Sequence, residues 1–172
     1  MKELFQAFAA YNRNANKIIC DHLTQDGSAA LTMETDTYFK TIAGTLYHLM
    51  DSNLRWLDRM SAFRNPAVNA AALAEFQLDA APDARSIAAN EQRFYSLAES
   101  IDVEIVKLVE AIPSGAFAED FTMQFGQNKI TRLLWQLLFQ WFNHHTHHRG
   151  QISLLLDLSG IENNFSLVLD KI

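Results

Sequence analysis

The chain is poor in residues that staple or interrupt a fold. Its single cysteine, Cys20, rules out an internal disulfide framework and fits a reducing compartment. Set in an apolar run, Cys20 reads as a small buried hydrophobe. Three prolines and six glycines in 172 residues leave long stretches unbroken, as a largely helical protein requires. Basic charge is also scarce. Fourteen Lys and Arg against twenty Asp and Glu give a formal charge of −6, which argues against a nucleic-acid backbone binder, because counterion release needs clustered cations. No apolar run is long enough to span a bilayer, and the richest, 133–142, is interrupted by Gln136 and Gln140. Met1-Lys2-Glu3-Leu4-Phe5 carries an acid at once, unlike a secretory signal. The expectation is a cytoplasmic protein without membrane or nucleic-acid partners. At 49% apolar, residues 1–172 suffice for a single domain with a substantial core.

Four amphipathic stretches are present. In the first, from Lys2 to about His22, Phe5, Phe8, Asn12, Ala15, Ile19 and Leu23 form one stripe, and Asp26-Gly27-Ser28 breaks it. His22, near its end, suits the negative pole of the helix dipole. The second, capped by Thr35 or Asp36, runs to about Arg64 with Phe39, Ile42, Leu46, Leu49, Asn53, Trp56 or Leu57, and Met60 as its stripe. The third follows Asp83 as cap, carries Phe94, Leu97, Ile101, Ile105, Leu108 and Ile112, and stops at Pro113. The last spans roughly 130–158, with Thr131 available as a cap.

Two connections are informative. Residues 65–82 are alanine-rich and hold two of the prolines. A helix of about 28 residues is roughly 42 Å long, and some 18 extended residues reach about 60 Å, so this crossover can run the length of a bundle and leave the second and third helices parallel. Phe121-Thr122-Met123-Gln124-Phe125 alternates strictly, and Gly126-Gln127-Asn128 follows it, which predicts a small β-hairpin leaning on the bundle end. After Ser159-Gly160, the tail carries Phe165, Leu167 and Leu169 and should pack back. The fold class is all-α, a four-helix bundle with a long crossover between helices two and three and a hairpin before helix four.

The chemistry concentrates in Asn143-His144-His145-Thr146-His147-His148-Arg149-Gly150-Gln151, which holds four of the six histidines. On a helix, His144 and His148 point the same way from consecutive turns and can share one divalent ion at about 2.0–2.1 Å per bond. The i, i+3 pairs His144/His147 and His145/His148 could also chelate. The helix face selects among them, since His144 and His148 continue the stripe of Leu134, Leu137, Trp141, Ile152 and Leu155, whereas His145 and His147 lean to its flanks. A bland alternative is a polar histidine patch with no ion. A third ligand must come from elsewhere. His48, at the edge of the second helix's stripe and one turn after Gly44-Thr45, reaches the same depth if that helix and the last are antiparallel. Three neutral imidazoles leave a coordination position open, as catalytic divalent sites do.

Tyr11-Asn12-Arg13, Gly44-Thr45-Leu46-Tyr47-His48-Leu49 and the histidine tract together resemble the DinB/YfiT-like family of metal-dependent four-helix-bundle enzymes, over most of the chain. The resemblance implies an up-down-down-up bundle, a homodimer, and a zinc, nickel or similar ion held by His48, His144 and His148. It also implies kinship with enzymes that use low-molecular-weight thiols, such as thiol S-transferases. A small-molecule substrate, such a thiol being one candidate, is the expected partner, and the ion would activate a thiol or a water. The affinity order alone makes copper or nickel competitive with zinc. Asp51, at i+3 from His48, has two readings: an orienting carboxylate or proton acceptor, or a solvated acid paired with Arg55. Gln151 can hydrogen-bond in the pocket, Trp141 and Tyr47 are expected to wall it, and Arg149 is expected off the ligand face in a helix-end salt bridge. Phe63, Phe76 and Phe165 fall outside the main stripes and suggest a dimer surface. The second reading of the whole is a non-catalytic metal or small-molecule binding helical protein.

Overall fold

A computed structural model describes residues 1–26, 28–79 and 81–165. The fold is mostly helical, with two small antiparallel hairpins. In chain order the elements are α1 (Lys2–Asp26), α2 (Ser28–Leu31), α3 (Ile42–Arg59), a 3₁₀ helix (Ala70–Phe76), β1 (Gln77–Leu78), β2 (Ala81–Pro82), α4 (Ala84–Ala89), α5 (Glu91–Ala111), a 3₁₀ turn (Ala116–Ala118), β3 (Asp120–Phe125), β4 (Asn128–Leu133) and α6 (Leu134–Leu158). The long helices bury the faces their periodicity predicts. Phe5, Asn12, Ala15, Ile19 and Leu23 are buried on α1, and Phe94, Ile101, Ile105 and Leu108 on α5. Each fully buried Leu or Phe contributes roughly 1.5–3 kcal/mol, so these stripes are the main source of stability.

Contacts fix how neighbouring helices run. Along α3, Trp56 stacks on Trp141, Asn53 bonds Trp141 and His145, and His48 meets His144 and His148, so α3 and α6 run in opposite directions. Lys2 bonds the carbonyls of Glu110 and Ile112 while Arg13 pairs with Glu99, which sets α1 against α5. Phe5 stacks on Phe142 and Asn12 bonds Arg149, so α1 follows α6.

The second helix begins later than its sequence suggests. Neither Thr35 nor Asp36 caps it. The carbonyl of Lys40, a residue at φ 64°, accepts from the Thr35 N–H (2.7 Å) and hydroxyl (2.9 Å), closing a loop before the helix. Thr41 is the cap, its Oγ1 accepting from Gly44 N at 2.9 Å. Its last helical residue is Arg59, five before the expected end, so α3 has 18 residues and not about 28. The third stretch divides: Asp83 caps α4 as expected, but the chain breaks at Asn90 (φ −130°, ψ 33°) before α5.

The crossover is anchored along its length. Glu104, buried on α5, accepts from Arg64, Lys107 and the N–H of Ala67 at 3.0–3.1 Å. Burial raises its carboxyl, but these donors outweigh burial and hold it below the usual range. Further on, Phe76 is fully buried edge-on to Phe94. The β3–β4 hairpin matches expectation: Gly126 takes φ 57° in the two-residue turn, Met123 is buried, and Phe121 stacks on Phe63. Thr131 lies in β4, so it is not a helix cap, and α6 starts at Leu134. Phe165 packs as expected, edge-on to His22, whose Nε2 also meets the Glu162 carbonyl at 2.9 Å. Leu167 and Leu169 lie outside the described residues.

Candidate metal centre

α3 and α6 bring His48, His144 and His148 together, with one nitrogen of each within 4.8 Å of the others. The Nε2 of His144 lies 3.1 Å from that of His48 and 2.9 Å from that of His148. Gln151 Oε1 can only accept, so His148 Nδ1, 2.7 Å away, carries its ring proton and its Nε2 presents a lone pair. A single proton on His144 Nε2 cannot satisfy both close nitrogens. A cation at the shared apex satisfies all three, and tetrahedral bonds of 2.0–2.1 Å would set the nitrogens about 3.3 Å apart. The donor set therefore fits a divalent ion. The rings are also in the right charge state. Burial, followed by the neighbouring His148, His48 and His147, pulls His144 down to about 4. Burial likewise lowers His48 and His148, leaving neutral imidazoles at neutral pH.

The loop before α3 supplies a cover. Phe39 stacks on His48 at 4.4 Å between centroids and stands edge-on to His148 at 5.4 Å. Gly44 makes this possible, because a Cβ there would run into the Phe39 carbonyl oxygen. His48 and Phe39 line a cavity of about 850 Å³ with Tyr47, Asp51, Arg55 and Gln77. Tyr47 thus walls the cavity as expected, its hydroxyl bonded by Gln77. Asp51 accepts from Arg55 Nε at 2.8 Å, the paired reading, and lines the same cavity as His48.

Three expectations change. Trp141 is fully buried, donating to Asn53 Oδ1 at 2.8 Å, so it supports the site from behind and does not wall the cavity. His145 is not on a flank. It is fully buried, and Asn53 Oδ1, at 2.7 Å from its Nε2, fixes the proton there. Arg149 is buried and bonds Asn12 Oδ1 and Thr146 Oγ1 in place of a helix-end salt bridge, with Tyr11 under its guanidinium at 5.3 Å. Tyr11-Asn12 thus acts through Arg149, while Arg13 pairs with Glu99. The polar cluster continues to Asp102, which accepts from Asn16 at 3.0 and 3.2 Å. Only Asn12 and Asn53, polar residues within apolar stripes, signalled this cluster in the sequence.

The DinB family model matches residues 1–167, and the chain belongs to that family. Comparison with curated proteins gives no match.

Proposed function

We propose that the chain is a metal-dependent enzyme of the DinB family, its divalent ion held by His48, His144 and His148, acting by thiol transfer or hydrolysis. The observation that carries this is the convergence of three imidazoles, with His144 Nε2 3.1 Å from that of His48 and 2.9 Å from that of His148, beside a cavity of about 850 Å³. The ion, zinc or nickel, would supply Lewis acidity that lowers the pKa of a thiol or water at its open position. The side chains do the rest. Gln151 holds the His148 tautomer, Phe39 shields the rings from bulk water, and Tyr47 with Gln77 offers polar contacts to a substrate. Asp51, steadied by Arg55, is placed to orient a substrate proton in the cavity. A low-molecular-weight thiol is the substrate this reading favours.

The helix directions support the up-down-down-up bundle: α3 opposes α6, α5 opposes α1, and α1 follows α6. The crossover over 65–82 then joins parallel helices within a single domain. No helix among the described residues is long and apolar enough to cross a membrane, which is consistent with a cytoplasmic setting. A homodimer remains part of the reading, but on different residues. Phe76 and Phe165 are buried and Phe63 is packed, whereas Leu154 and Leu158 on α6 are 58% and 70% exposed. Size exclusion at two concentrations checks it, and a monomer at micromolar concentration would end the dimer proposal.

The test of activity is turnover of a thiol plus an electrophile, and of an ester, by the metal-loaded chain and by His144→Ala. Loss of turnover together with metal supports the enzyme. Full metal loading with no turnover in either assay would leave the non-catalytic metal-binding reading.

A further inference from the structure

A second cavity, of about 750 Å³, is bounded by α3, the β3–β4 hairpin and the first half of α6, and shares no lining residue with the first. It is within the usual size range of small-molecule sites. Trp56, Phe125 and Trp135 give it flat apolar walls, and Phe139, at 54% exposure, stands at its edge. Its charged lining is of one sign. Arg59 and Arg132 contribute two guanidinium groups, and among the described residues no Asp or Glu lines the cavity, although acids outnumber bases in the chain by twenty to fourteen. Neither arginine forms an ion pair among the described residues.

Arg59 is held in place without being neutralised. Its Nε donates to the Gln124 carbonyl at 3.0 Å and its Cζ lies 4.0 Å over the Phe125 ring. Arg132 spends only Nη1, on the carbonyl of Thr131 at 2.7 Å. Burial and then the neighbouring Arg55 pull the Arg59 guanidinium below its ordinary range, against a smaller opposing pull from Asp58 and Asp51. A fixed guanidinium fork beside aromatic faces recognises a carboxylate carried on a flat apolar body. His144 also lines this cavity, whereas the first cavity is lined by His48 and not by His144.

We propose that this second cavity binds an aromatic carboxylate, whose ring lies among Trp56, Phe125 and Trp135 and whose anion is held by Arg59 and Arg132. The ligand then sits against one histidine of the triad while the first cavity reaches another, an arrangement suited to two substrates meeting from separate sides. Only that last step rests on the proposed metal enzyme; binding stands by itself.

The test is calorimetric titration of the full chain with naphthalene-2-carboxylate, 2-naphthylmethanol and 2-naphthylmethylamine. The carboxylate should bind about tenfold or more tighter than the alcohol, and the amine weakest. The surface substitution Arg132→Met and the double variant Arg59→Met/Arg132→Met should remove that preference stepwise. His48→Ala, which breaks the triad at a residue that does not line this cavity and meets it only through His144, should retain it. Equal binding of carboxylate and alcohol, or a preference that survives the double variant, overturns the inference. So does loss of carboxylate binding in His48→Ala, which would place the anion on the ion in the first cavity and leave the metal reading intact. Preference retained by a chain that takes up no metal would uphold this site while the proposed enzyme fails.

Discussion

Asp102 lies in the core at 4% exposure, and burial, only partly offset by the Asn16 amide, raises its carboxyl to about 7. The sign of the consequence follows. Between its unfolded value near 4 and about 7, the folded state holds a proton that the unfolded state has lost, so stability is greatest below that window and falls as pH rises through it. Asp102→Asn keeps an acceptor for Asn16 and removes this loss, so its stability relative to the wild type should climb from pH 4 to pH 8, by on the order of 2–4 kcal/mol. Urea denaturation at both pH values checks it. Asn53 is the other decisive core residue, because one oxygen serves both Trp141 and His145. Asn53→Ala leaves two buried donors unpaired and should cost about 2–4 kcal/mol, read in the same titration. The sequence made the three clustered histidines legible because two share a helix face and the third sits on a stripe edge. It hid His145 and Asp102, since whether a polar residue beside an apolar stripe is buried depends on partners from other helices, here Asn53 and Asn16.

At the scale of elements, the segment before α3 shapes the site. Its start was misplaced in the sequence because Thr35 and Asp36 are competent caps, and nothing local announces that Lys40 will take a left-handed conformation. The outcome matters, because that loop sets Phe39 on His48. Gly44→Ala should therefore displace Phe39, cost roughly 1–3 kcal/mol and weaken metal binding. Gly150, also helical but with open space around its Cβ position, is the control: Gly150→Ala should gain roughly 0.5–1 kcal/mol. Thermal denaturation and metal titration of both variants separate the two effects. The hairpin was readable for a simpler reason. Strict alternation and a Gly in the turn are local signals, and its register follows from them.

For the molecule as a whole, the helix faces and the family signature agree, and the site lies where antiparallel α3 and α6 meet. A ligand that binds only the folded chain raises its stability by RT ln(1 + [L]/Kd), about 2.7 kcal/mol at a hundredfold excess over Kd, so a bound ion should also raise the melting temperature. Elemental analysis of the natively purified protein beside His148→Ala decides whether the three histidines hold an ion. About one divalent ion per chain is expected in the wild type and close to none in the variant. A wild type that carries no metal and takes up neither zinc nor nickel would contradict it.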